Sequence, residues 1–106
     1  MNTVPDHLEG KAREAAQVII DCVLIQNSQA QLSESVFLSP EFNHTGYGNN
    51  AVLVVLHEEG PHRPFFLYNN PRLIEMYEAL TEELALVSLW CEQCTDWCSA
   101  IYTMDK

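Results

Sequence analysis

Cations are the scarcest feature of this chain. Its 106 residues carry 5 Lys and Arg against 15 Asp and Glu, a net charge of −10 at pH 7 and a pI near 4.5. Affinity for nucleic acid comes largely from Lys and Arg that release counterions from phosphates, so direct nucleic-acid binding is not expected. Glycine and proline are also sparse, at 4 and 5 residues, and with 47% hydrophobic residues this excludes a disordered chain. No apolar run approaches the roughly 18 to 20 residues of a membrane span. The opening "MNTVPDHLEGK" lacks the cationic start and apolar run of a secretory signal. The expectation is one domain over residues 1–106, cytoplasmic, with no membrane partner.

Helix formers fill residues 5–31, where Leu8, Ala12, Ala15, Ile19, Cys22 and Gln26 recur at spacings of four and three. That spacing predicts an N-terminal helix, with Thr3 or Asp6 as cap and Pro5 in the first turn. "SESVFL" (33–38) predicts a short edge strand, and "PEFNHTGYGNN" a loop. "AVLVVLH" (51–57) predicts a strand buried on both faces, and "FFLY" (65–68) its antiparallel return after the turn "EEGPHRP".

From Arg72 to Lys106 there is neither glycine nor proline. Leu73, Tyr77, Leu80, Leu84, Val87, Cys91, Cys94, Cys98 and Ile101 alternate at four and three, which predicts a long, kinked or split C-terminal helix starting near Asn70 and Pro71. The expected fold is therefore α+β: an N-terminal helix, a small three-stranded antiparallel sheet and that long C-terminal helix. Helix, three strands, helix is similar to the order of the double-stranded-RNA-binding module. However, "NNPRLIEMYEAL" is acidic where that module needs lysines, so no RNA function follows.

"WCEQCTDWC" (90–98) admits several readings. On a helix, Cys91, Cys94 and Cys98 share one stripe and act as small buried hydrophobes. A zinc site would use the same three thiols and need a fourth ligand, Cys22 or one of His7, His44, His57 and His62. Redox chemistry would want Cys91 at a helix N-terminus, which a helix starting at Pro71 does not provide. No cofactor is expected, zinc being the one alternative. "HEEGPH" spaces its histidines five apart instead of the four of a zinc-protease helix, and "TGYG" lacks a phosphate-binding lysine. No catalytic constellation is visible, and the expectation is a non-enzyme.

The excess charge is uneven: residues 1–31, 32–72 and 73–106 sum to −2, −2 and −6. On the expected helix, Glu75, Glu78, Glu82, Glu92 and Asp96 lie opposite the apolar seam and Glu83 flanks it. Acids one helical turn apart are about 5–6 Å from each other, near the spacing of phosphates along a strand. Tyr47, Leu89 and Trp90 are candidate anchors beside them. The leading expectation is a small acidic inhibitor that occludes a larger partner's basic, nucleic-acid-handling surface, as anti-CRISPR, anti-restriction, immunity and antitoxin proteins do. Alternatives are a zinc or thiol protein built on the three cysteines, and a homodimeric adaptor paired through the seam.

Overall fold

A computed structural model describes residues 3–67 and 70–104. Two helices, α1 (Gly10–Gln26) and α2 (Ile74–Leu86), pack on one face of a sheet of four strands, β1 (Phe37–Leu38), β2 (Leu53–Leu56), β3 (Leu89–Gln93) and β4 (Cys98–Thr103). All pairings are antiparallel and the spatial order is β1-β2-β4-β3. Short 3-10 turns occupy Glu34–Val36 and Arg63–Phe66.

α1 begins later than its sequence suggests. Asp6 and His7 form a turn, and Gly10 opens the helix with φ +58°, a left-handed conformation that glycine adopts without a side-chain clash. Its buried side carries Ala12, Ala15, Ala16, Ile19, Ile20, Cys22 and Val23, small enough near the start for the helix to lie close to its neighbours. Gln26, expected on that face, is exposed. α2 buries Leu80 and Leu84 against the same core.

The long C-terminal helix is not formed. α2 stops at Leu86, and Ser88 takes φ +63°, which no α-helix can continue through. Lys11 Nζ donates to Val87 O at 2.8 Å, placing a cation on the terminal carbonyls of α2. Residues 89–103 then make a hairpin, so the sheet has four strands and not three. The four-three spacing of the cysteines coincided with helical periodicity, whereas the local composition of "SAIYT", with β-branched and aromatic residues, favours a strand. The expected return strand is absent as well. Phe65 and Phe66 lie in a 3-10 turn, Tyr68 falls outside the described residues, and β2 pairs with β1 and β4.

β2 is central and buried on both faces. Leu53 and Val55 join Phe37, Leu89 and Ile101 under the helices. Val54 joins Leu38, Ala51, Cys98 and Ala100 on the outer face, with Leu56, Cys94 and Tyr102 packed around them. The loop after β1 covers part of that outer face. At Gly48, φ +75°, a Cβ would stand 2.7 Å from Val54 Cγ2 and 3.2 Å from Ala100 Cβ, so only glycine permits this approach. Among the described residues no helix is long and apolar enough to cross a membrane.

Candidate functional site

α2 presents Glu75, Glu78, Glu82 and Glu83 to solvent, with Ala79 between them and Leu86, 78% exposed, at the end of the same face. Among the described residues none of the four is in an ion pair, and the one ion pair is Lys11–Glu14 at 3.1 Å. Glu75–Glu78 and Glu78–Glu82 are one helical turn apart, close enough to repel. On the flank towards α1, Glu75 and Glu83 edge an open groove of about 300 Å³ lined also by Cys22, Ile25, Phe65 and Met76. The groove lies between α2 and the last turns of α1, where Ile25 is 83% exposed.

The other expected contact residues lie elsewhere. Glu92 is on β3, alternating with the core-facing Cys91, and so faces the outer side of the sheet, although at the β3 edge it shares an open pocket with Tyr77 of α2. Asp96 is in the β3–β4 turn. Trp90 stacks on Tyr102, its cross-strand partner, with ring centroids 4.8 Å apart. Tyr47 meets Trp97 edge-on at 5.9 Å. Trp90, Trp97 and Tyr47 are each about two-fifths exposed, so the outer face has an aromatic rim beside Glu92. Leu89, expected among the anchors, is fully buried: it begins β3 facing the helices and cannot touch a partner. The nine residues expected to form one surface therefore divide into a helical acidic face, an aromatic and acidic sheet face, and one core residue.

The cysteine stripe is also divided, because strands send alternate side chains to opposite faces. Cys91 packs into the core under the helices, whereas Cys94 and Cys98 belong to the outer cluster. Burial raises the Cys91 thiol to about 12 and the Cys22 thiol to about 11, in the latter case with a further push from the charge of Glu83. Both are thiols, not thiolates, at neutral pH. Among the described residues no three His, Cys, Asp or Glu side chains converge as a metal site would require. The zinc alternative, which needs Cys91, Cys94 and Cys98 together, is not supported by this arrangement.

One polar cluster had no clear signal in the sequence. His57 Nε2 and Ser99 Oγ share a hydrogen bond of 2.8 Å, and the His57 ring stacks on Phe66 at 4.9 Å and 3°. His62 meets Phe66 edge-on and its Nε2 donates to Leu56 O at 2.7 Å. Arg63 Nη1 donates to His57 O and Asp96 O, tying the turn after β2 to the hairpin tip. Burial lowers both histidines, His57 to about 4. His57 and Ser99 are 0% exposed, so this serine–histidine pair has no room for a substrate and fastens the core. The hint was positional: His57 continues the inward alternation of Leu53 and Val55.

The chain matches no known protein family, no curated protein and no solved structure.

Proposed function

We propose that the protein is a small interaction module that inhibits a larger, nucleic-acid-handling protein by occupying its basic surface, with the solvent face of α2 as the principal contact. The observation that supports this most directly is the set of four exposed glutamates on a helix of 13 residues, with no ion pair to any of the described residues. Such a set costs stability by like-charge repulsion unless a cationic surface opposes it. Lys and Arg lining a nucleic-acid groove are a matching surface, because they are spaced to meet phosphates. Leu86 and the apolar groove beside Glu75 and Glu83 supply the uncharged contact area that a stable complex needs. On this reading the protein is a binding protein and not an enzyme, and its mechanism is steric and electrostatic occlusion.

The sheet's outer face is a second contact surface, with Trp90 as anchor and Glu92 beside it, Tyr47 and Asp96 lying nearer the hairpin tip. Its side chains leave the sheet on the face opposite the helices, and at the β3 edge Trp90 and Glu92 share an open pocket with Tyr77 of α2. The test is a pull-down from nuclease-treated lysate with the native chain, with Glu75, Glu78, Glu82 and Glu83 all changed to Gln, and with Glu92→Gln plus Trp90→Ala. Loss of a nucleic-acid-handling partner from the first variant alone supports α2, and loss from the second alone moves the contact to the sheet. Retrieval of the same proteins by all three forms means that the acids are solvated surface and occlusion is wrong.

A further inference from the structure

The geometry points to Cys94 and Cys98 as a dithiol that closes to a disulfide across the base of the β3–β4 turn, clasping the hairpin tip when a disulfide oxidant is present. This inference is independent of the acidic-face reading. Gln93 pairs with Ser99, so the next residues outward, Cys94 and Cys98, stand directly opposite each other, and Cys94 N donates to Cys98 O at 3.0 Å. Thr95 N donates to the same oxygen at 3.1 Å, and residues directly opposite each other in an antiparallel pair have Cα atoms about 4.5–5.5 Å apart, within the roughly 4.4–6.8 Å that a disulfide spans. Both side chains lie on the outer face, in one cluster, and their thiols are neighbours. Cys91 is on the opposite face, opposite Ile101, and Cys22 is on α1, so neither competes for the bond.

Exposure sets the order of events. Cys94 is half-buried, and Cys98 is 0% exposed. The Cys94 thiolate attacks a small disulfide of the oxidised-glutathione class, forming a mixed disulfide and expelling one thiolate. Cys98, deprotonated, then attacks the Cys94 sulfur and expels the second. Two protein thiols are oxidised, the small disulfide is reduced to two thiols, and the two protons released by the cysteines protonate the leaving thiolates. Thr95 Oγ1 donates to Cys98 Sγ at 3.8 Å, holding the resolving thiol in place at the turn. Burial, with Cys98 and Glu92 adding to it, holds the Cys94 thiol up at about 11, so exchange is slow at neutral pH and quickens about tenfold per pH unit to pH 9.

The clasp would act where three parts of the chain meet. Within the closed ring, Trp97 leans on Tyr47 of the loop, Trp97 O accepts from His57 N at 2.8 Å, and Asp96 O accepts from Arg63. Closure would hold these contacts and the exposed Trp97 in one arrangement.

The full reduced chain, incubated without oxygen in excess oxidised glutathione, tests this by intact mass and by cleavage after Glu92 and before Asp96. The expected product has lost two hydrogens and keeps two alkylatable thiols, and the fragment with Cys94 stays joined to the fragment with Cys98 until reduced. Cys94→Ser should abolish the cross-link, and Cys98→Ser should leave glutathione on Cys94. Four alkylatable thiols after prolonged incubation, or a cross-link that includes Cys91 or Cys22, would overturn the assignment, and the wild-type map decides this even if the Cys98 variant does not fold.

Discussion

His57 shows how one buried side chain links stability to pH. Its ring is wedged between Phe66 and Ser99 with Nδ1 buried and unpartnered, so the folded state admits the neutral form and resists the charged one. Above pH 6.5 the ring is neutral in both states and its contribution is fully present. As pH falls from 6.5 towards about 4, the unfolded chain takes up a proton that the folded chain refuses, and stability falls by up to about 3 kcal/mol. His62 acts in the same direction. Most surface carboxylates ionise lower, so the window from pH 6.5 to 5 isolates the histidines. Urea unfolding should show a loss of about 2 kcal/mol between pH 7.5 and 5.0, reduced in His57→Phe. Equal stability at both pH values would show that the ring is not held as described. Gly48 offers a second test at this scale: Gly48→Ala combines a left-handed φ with a 2.7 Å approach to Val54, and should cost about 1–3 kcal/mol. A cost below about 0.5 kcal/mol would mean that the loop does not sit on the outer face of the sheet.

At the scale of elements, α2 combines two demands on one short helix. Leu80 and Leu84 hold it to the core, while Glu75, Glu78 and Glu82 repel one another on the free side. Changing Glu75, Glu78, Glu82 and Glu83 to Gln should therefore raise stability by about 0.5–1 kcal/mol while weakening partner binding. A variant that binds less because it is less stable would contradict this. The end of α2 depends on α1: Lys11→Ala removes the 2.8 Å bond to Val87 O and should lower the melting temperature, by the equivalent of about 0.5–1 kcal/mol. If thermal unfolding is unchanged, the bond to Val87 O contributes nothing to the junction.

For the whole molecule, a net charge of −10 on 106 residues sets salt effects of opposite sign. Salt screens self-repulsion in the compact state, so the free protein should melt higher in 0.5 M than in 0.02 M sodium chloride. The same screening should weaken the proposed complex, first through its association rate. A complex whose affinity is indifferent to salt would not be held by the acids of α2. The continuous seam on which the homodimer alternative rested is not formed: Leu80 and Leu84 face the chain's own core, Cys91, Cys98 and Ile101 are on strands, and Cys94 follows the end of β3.

The sequence by itself determined much of what is local. Helical spacing from Leu8 to Cys22 gave away the buried side of α1, and the β-branched run at residues 53–56 marked the central strand. The placement of Glu75, Glu78 and Glu82 on the free side of α2, with Glu83 on its flank, was legible for the same reason, since the seam and its opposite face keep their phase over any single helix. What followed residue 86 was not legible, because spacings of four and three over a stretch without glycine or proline fit a helix as well as the hairpin that forms. The tertiary structure decided it. β2 needed a second partner along its full length, and β4 supplies one, with Leu53 opposite Ile101 and Leu56 opposite Cys98. That pairing sends Cys91 to the core and Cys94 and Cys98 to the outer face, buries Leu89, and separates Glu92 and Trp90 from the acids of α2. A strand's faces are assigned by its neighbours in space, and β2, the neighbour that draws the hairpin into the sheet through β4, lies more than 40 residues away along the chain.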